Sequence, residues 1–254
     1  MASKKSPAVK STTTKSPTAE RATRKIPTRA APRARVAAAG PAPSASSATR
    51  AHEPDDTQFR ARFEAMDRAL RANPDVRVLA PSRLVTSPVN ARMVRMALEQ
   101  LEQSSGISSA ELAPYAPHLF GTVLHWLGPT DATGLHRLGG EVRLQSVGAL
   151  TRAFDPAPSW RLFDDHPGSG DGVLTLLRPH EGRWQLGVYE DGVVHPMDID
   201  VREYLDALVD LRAVFGLQWL FVRESRHRAG LAAKLDALAA LLDLDVSKYR
   251  ARLR

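Results

Sequence analysis

The hydrophobic period of the chain changes within residues 173–221, and this change constrains the fold more than any other feature. Three short apolar runs come first, separated by two acidic-glycine pairs: residues 173–177, Glu181-Gly182, 184–189, Asp191-Gly192 and 193–197. A glycine after an acidic residue between two such runs is typical of a tight hairpin, because glycine tolerates a positive φ. The pattern predicts three antiparallel strands in a meander.

After the meander, apolar residues recur every three or four positions, which is the spacing of one helix face. Asp198 or Asp200 can cap this helix, and Glu203 lies three residues after Asp200, which is close to a capping-box pattern. Gly216 can end the helix in a left-handed turn. A sheet with one apolar face and a helix with one apolar stripe can bury each other. We therefore predict an α+β fold in which a small antiparallel sheet packs against helices. The residues of the helix stripe are Val201, Tyr204, Leu205, Leu208, Val209, Leu211 and Phe215.

The rest of the chain adds helices before the sheet and after it. Apolar periodicity and capping residues predict helices over 55–72, 88–103, 112–127 and 231–242. Alternation and β-branched residues predict strands over 76–79 and 141–147, with a helical turn at 149–154. An acidic loop is predicted over 155–172, and a closing strand or apolar turn over 219–222.

Composition divides the chain into a tail and one domain. Residues 1–52 are low-complexity Ala, Pro, Ser, Thr, Lys and Arg, and such a segment cannot offset its ordering entropy, so we expect it to be disordered. Residues 53–254 are expected to form a single α+β domain. Within it we distinguish a helical lead-in (53–110), a core (111–222) and a C-terminal amphipathic helix (223–254).

Charge is distributed unevenly along the chain. The whole sequence carries +7, but residues 1–50 hold eleven Lys and Arg against one acid, whereas residues 155–210 hold four basic and twelve acidic residues. Scattered cations in a flexible tail can bind phosphate backbones without reading sequence, by releasing counterions. A nucleoid-associated, DNA-binding protein is therefore one alternative, and a spacer tail is the other. The cations of that alternative include Lys4, Lys5, Lys10, Lys15, Arg24, Lys25, Arg33 and Arg35.

The acidic segment predicts a docking surface for a basic protein. Some of its carboxylates lie in the predicted 155–172 loop beside two aromatic residues, and others share one face of the helix that follows the meander. Opposite charge speeds encounter, and an aromatic side chain supplies buried area. A solvated acidic face is the alternative interpretation. The predicted partner-binding residues are Trp160, Phe163, Asp164, Asp165, Asp171, Glu203, Asp206 and Asp210.

Several short segments follow one another in a distinctive order over about residues 110–222. They are Trp126-Leu127-Gly128, the strand 142–146 with Ala149-Leu150 after it, the strands containing LLRP and LGVYE, and the helix beginning VREYLDAL. This order resembles the SUKH superfamily, which includes yeast cell-wall synthesis regulators and many bacterial immunity proteins. The resemblance implies a mixed α+β interaction module without catalysis. Many members of that superfamily neutralise toxins, often nucleases, so it also implies a basic toxin as a partner.

Motifs for enzymatic chemistry are sparse. The chain has no Cys, which excludes disulfides, Cys-based zinc sites and a Cys nucleophile. No G-x-S-x-G is present, and the glycines at 168–172 lack the Lys-Ser/Thr of a P-loop. Asp164, Asp165, His166 and Asp171 could hold a hard cation, although their spacing is not that of an EF-hand. We expect no enzyme activity, cofactor, metal or membrane span, and a cytoplasmic location; a hydrolase using the 164–171 loop is a second alternative.

Overall fold

The computed structural model describes residues 56–79, 90–116, 121–130, 138–168, 173–223 and 225–253. These residues belong to one compact unit that spans residues 51–254. The tail predicted to be disordered lies outside the described residues, and so do its cations: Lys4, Lys5, Lys10, Lys15, Arg24, Lys25, Arg33 and Arg35.

The described part of the chain is an α+β fold, as the sequence predicts. Its α-helices are α1 (Asp56–Ala72), α2 (Ala91–Ser105), α3 (Val201–Asp210), α4 (Arg228–Leu242) and α5 (Ser247–Ala251). Its strands are β1 (Arg77–Val78), β2 (Val123–Leu127), β3 (Gly139–Leu144), β4 (Arg161–Asp165), β5 (Leu174–His180), β6 (Arg183–Glu190) and β7 (Val193–Pro196). Two 3-10 helices complete the fold, at Ala149–Thr151 and Leu217–Phe221.

The seven strands form one antiparallel sheet in which sequence order is also spatial order. Tight turns join the last three strands, and Glu181, Gly182, Asp191 and Gly192 all have positive φ. Positive φ at both central residues is typical of the type I′ hairpin, whose twist matches that of the strands. The predicted meander is therefore confirmed, together with the turn residues that produce it.

The two faces of the sheet differ. One face packs against the helices and buries apolar side chains from the central strands, including Leu144, Leu177, Leu186 and Val188. Tyr204 of α3 contacts Thr175 on this face. The other face holds both buried side chains, such as Leu176, and half-buried ones, such as Gln185. There Trp160 lies over Gly187, where an added Cβ would come within 2.7 Å of the indole.

Strands β3 and β4 remain neighbours in the sheet but pair over a short length only. Strand β4 pairs with β3 only at Arg143 and Leu144. Closer to the start of β3, residues 213–215 lie alongside it: the Glu141 N–H donates to the Ala213 carbonyl (2.9 Å) and the Phe215 N–H donates to Gly139 (3.0 Å). The segment after α3 thus adds a short strand-like edge to β3.

Three element predictions are wrong at particular points. Residues 123–127 of the predicted 112–127 helix form strand β2, whose burial alternates with a period of two. Residues 161–165 of the predicted acidic loop form β4. Helix α3 ends at Asp210, before Gly216, because Arg212 and Ala213 adopt positive φ where the chain turns to pair with β3. Residues 219–222 belong to a 3-10 helix and its C-cap, which is closer to the apolar-turn alternative than to a strand.

Candidate functional site

The aromatic residues of the predicted docking loop are not available to a partner. Trp160 is 5% exposed and Phe163 is fully buried. A β-bulge between Leu162 and Asp164 turns consecutive side chains of β4 towards the core. The prediction that these residues form an exposed patch is therefore wrong, because β4 is an inner strand of the sheet.

Asp164 is the centre of a buried polar network. Its Oδ2 accepts a hydrogen bond from the Tyr204 hydroxyl (2.6 Å), and its Oδ1 accepts one from the Arg143 backbone N–H (3.0 Å). The Tyr204 hydroxyl also lies 2.9 Å from Thr175 Oγ1 and accepts from Gln218 Nε2 at 3.3 Å. Burial raises the pKa of Asp164 to about 6, against the opposing effect of nearby His166 and these hydrogen bonds. This carboxyl group is therefore part of the core.

The Asp165 side chain lies on the opposite face of the sheet from Asp164, and it already has partners within the chain. Arg143 forms a two-pronged ion pair with it, with Nε 2.6 Å from Oδ1 and Nη2 against Oδ2. Gln145 Nε2 donates to the same Oδ1 at 3.1 Å. Asp171 lies outside the described residues. Within the described ranges, no cluster of three or more His, Cys, Asp or Glu side chains could hold a metal ion.

The acidic residues of α3 contact basic residues from distant parts of the same chain. Arg62 of α1 donates to Asp206, and its Nη2 donates to Asp210 at 3.0 Å. The Tyr249 hydroxyl of α5 donates to Asp210 at 2.7 Å. Glu203 lies 3.6 Å from Arg252.

The charge asymmetry of the sequence is therefore largely balanced inside the fold. The acidic 155–210 segment receives arginines from the helical lead-in, from β3 and from the C-terminal region. Paired carboxylates present less net charge to a partner, but the side chains of Glu203, Asp206 and Asp210 are partly exposed, so their assignment to a docking surface stays a prediction.

A concave surface follows the edge of the sheet instead. Two cavities, of about 300 and 390 Å³, lie beside β7, and a third of about 440 Å³ lies between Glu190 at the end of β6 and helix α4. Neighbouring cavities share lining residues. We call this surface the Trp219 groove. The side chains that define it are Glu190, Val193, His195, Trp219, Arg223 and His227.

Trp219 contacts two imidazole rings. The ring centroid of His227 is 4.3 Å from that of Trp219, with a tilt of 32°, and His195 approaches edge-on at 5.4 Å. These three rings come from the second 3-10 helix, from the start of α4 and from strand β7. Trp219 itself is 5% exposed, so the accessible part of this aromatic floor consists of the half-buried imidazoles of His195 and His227, which Trp219 supports from below. Aromatic rings held in one position in this way are a kind of surface that anchors protein interfaces.

Glu190 organises the polar side of the groove. Its Oε2 accepts a hydrogen bond from Arg226 Nη2 (2.7 Å) and lies 3.2 Å from His227 Nε2. Partial burial opposes ionisation of Glu190, but the His227 and Arg226 contacts outweigh it and lower the pKa of this carboxyl group. At the rim, Val193 is 54% exposed, and Arg223 is exposed while paired with Asp198.

Sequence reasoning missed this groove because its residues are far apart in the chain. His195 and His227 gave no spacing signal, and Trp219 was assigned to a closing strand or turn. The one local sign was the exposed valine directly after Asp191-Gly192, at the beginning of the last strand.

Comparison of the chain with known protein families, curated proteins and solved structures found no match. The SUKH resemblance thus stays a prediction. No helix of the described residues combines the length and the apolar character needed to span a membrane.

Proposed function

We propose that this chain is a non-enzymatic, cytoplasmic protein-binding module of the kind that the SUKH resemblance implies, and that it binds its partner through the Trp219 groove. The observation that carries this proposal is the aromatic floor of the groove, beside an edge strand and below an exposed rim. On the same resemblance, a protein toxin is the expected partner.

The chemistry of the described residues favours binding over catalysis. The residue types used for acid–base work, Asp164, Tyr204 and His166, lie together but are buried in the core. A reacting group must come within hydrogen-bond reach of its catalyst. The hydrolase alternative assigned Asp164 and Asp165 to an exposed loop, and both lie in strand β4 with intramolecular partners.

The shape of the groove indicates how a partner would bind. Hot spots lie in desolvated pockets with a polar rim that excludes water. The half-buried His195 and His227 supply the accessible floor above the buried Trp219, and Arg223, Arg226 and Asp191 supply a mixed-charge rim. An apolar side chain of the partner fits the floor, and polar groups around that side chain fit the rim.

The experiment first captures proteins from a lysate of the source organism on the full chain and then measures binding of a captured toxin to the full chain by titration calorimetry. Rim variants Val193→Asp and Arg223→Glu are expected to weaken binding at least about fivefold, the effect of losing about 1 kcal/mol. Both side chains are exposed, so both variants should fold. The matched control is Arg68→Glu on α1, whose side chain is 71% exposed. If the control loses as much affinity as the rim variants, or if both rim variants bind as tightly as the wild type, the groove is not the binding site.

A further inference from the structure

Helix α2 presents an apolar surface that no described residue covers. Its inward face buries Val94, Leu98 and Leu101, while Met93 is 64% exposed and Met96 is 56% exposed. One exposed apolar side chain is ordinary, but two at a spacing of three residues form a continuous patch on a helix. Methionine is flexible and polarizable, which suits it to contact surfaces.

The charges of α2 are arranged against the dipole of the helix. Arg92 and Arg95 lie in its N-terminal half, and Glu99 and Glu102 lie in its C-terminal half. A helix is stabilised by acids near its N-terminus and bases near its C-terminus, so this order does not serve the helix itself. Among the described residues, Arg92, Arg95 and Glu99 form no ion pair.

The same charges complement each other in an antiparallel pair of α2 helices. Arg95 and Glu99 are equidistant in sequence from Ala97, and so are Arg92 and Glu102. A twofold axis near Ala97 therefore brings each arginine close to a glutamate of the second copy. Ala97 itself is half-buried against the core of its own chain, so it marks only the level of the axis along the helix.

Glu102 remains able to take part in such a pair. Hydrogen bonds from the Ser109 backbone N–H, from its hydroxyl and from Ser108 all use Oε1, which leaves Oε2 available. The Ser109 contacts lower the pKa of Glu102 and keep it ionised.

A cavity beside α2 offers room for apolar side chains. Its volume is about 310 Å³, and Val94, Leu98 and Ala113 contribute to its lining. The helix thus carries both exposed methionines and an apolar recess. A surface with both can be self-complementary, as an isologous interface requires.

We propose that α2 is the twofold interface between two copies of this chain, paired antiparallel around Ala97. Met96 and the neighbouring cavity flank the charged face and supply the apolar contact, and the two arginine–glutamate pairs fix the direction. This interface is separate from the Trp219 groove and does not depend on the function proposed for it.

The experiment is sedimentation equilibrium of the full chain after nuclease treatment, which removes nucleic acid that could link basic tails. The wild-type chain is expected to dimerise. The single reversals Arg95→Glu and Glu99→Arg place like charges opposite each other and should each raise the dimer dissociation constant at least about tenfold. The double variant R95E/E99R restores opposite charges in the antiparallel pair and should dimerise like the wild type.

Two further variants separate this interface from general charge effects and from misfolding. Met96→Glu should abolish the dimer, while Arg68→Glu on the exposed face of α1 should leave it unchanged. Circular dichroism verifies the fold of each variant. A wild-type chain that stays monomeric at about 100 μM overturns the proposal and leaves the face to a different partner. The proposal is also overturned if Met96→Glu still dimerises, or if the R95E/E99R variant has a dimer dissociation constant as high as those of the single variants.

Discussion

The Tyr204 hydroxyl donates a hydrogen bond of 2.6 Å to Asp164, and neither side chain is exposed to solvent. This contact ties α3 to the middle of the sheet. It also keeps a carboxyl group in the core, where ionisation is costly and the surrounding hydrogen bonds only partly compensate for it.

The Asp164 pair makes stability depend on pH in a defined window. Its pKa is about 6 in the folded protein, above the ordinary value of 3.8, so the folded state holds the proton more tightly than the unfolded chain does. The contribution of this group to stability is therefore full below about pH 4 and is lost as pH rises to about 6, by about 3 kcal/mol. Asp164→Asn should remove this decline, measured as the difference between wild-type and variant urea unfolding from pH 4 to 7. An identical slope in both proteins would contradict the assignment.

The ion pair between α1 and α3 should be measurable as a coupling energy. Arg62→Ala and Asp206→Ala, alone and together, form a double-mutant cycle for a partly buried contact. We expect a coupling of about 1 kcal/mol from thermal or denaturant unfolding. The control cycle is Arg68 with Glu64, 4.0 Å apart on the exposed face of α1, where about 0.3 kcal/mol is expected. Equal coupling energies in the two cycles would mean that the ion pair between α1 and α3 stabilises the fold no more than an exposed pair within one helix.

Glycines in the sheet should differ in their tolerance of alanine. At Gly140, an added Cβ would lie 2.5 Å from the Ala213 carbonyl oxygen, which belongs to the backbone and cannot easily move. At Gly187 it would meet Trp160 and Val194 side chains at 2.7 and 2.8 Å. We expect Gly140→Ala to cost about 3 kcal/mol and Gly187→Ala less, about 1–2 kcal/mol. Gly148→Ala, with nothing within 4 Å, is the control and should be nearly neutral by denaturant unfolding.

The basic tail provides a prediction that is independent of the fold. If residues 1–50 bind nucleic acid, the affinity of the full chain for duplex DNA should fall steeply with salt and show no sequence preference. Deleting these residues should abolish the binding in a fluorescence anisotropy titration. Salt-insensitive binding by the truncated chain would assign DNA recognition to the folded part instead.

Local sequence predicted the elements in which periodicity and turn chemistry agree. The meander, its two acidic-glycine turns and the cap of α3 all depend on neighbouring residues. Of the two candidate caps, Asp198 and Asp200, Asp200 is the one whose carboxylate accepts a hydrogen bond from Glu203 N–H. Strand β4 was missed because it ends in Asp164 and Asp165, and acidic residues are normally depleted in strands. Only tertiary partners make them acceptable there.

The sequence by itself determined the fold class and the uneven distribution of charge. Only the tertiary structure decided which oppositely charged side chains pair with each other. Asp206 and Arg62 are separated by 144 positions, and no periodicity relates them. The Trp219 groove likewise combines residues from β6, β7, the second 3-10 helix and α4. Hydrophobic patterns depend on local spacing, whereas ion pairs and cavities depend on which distant segments the packed core brings together.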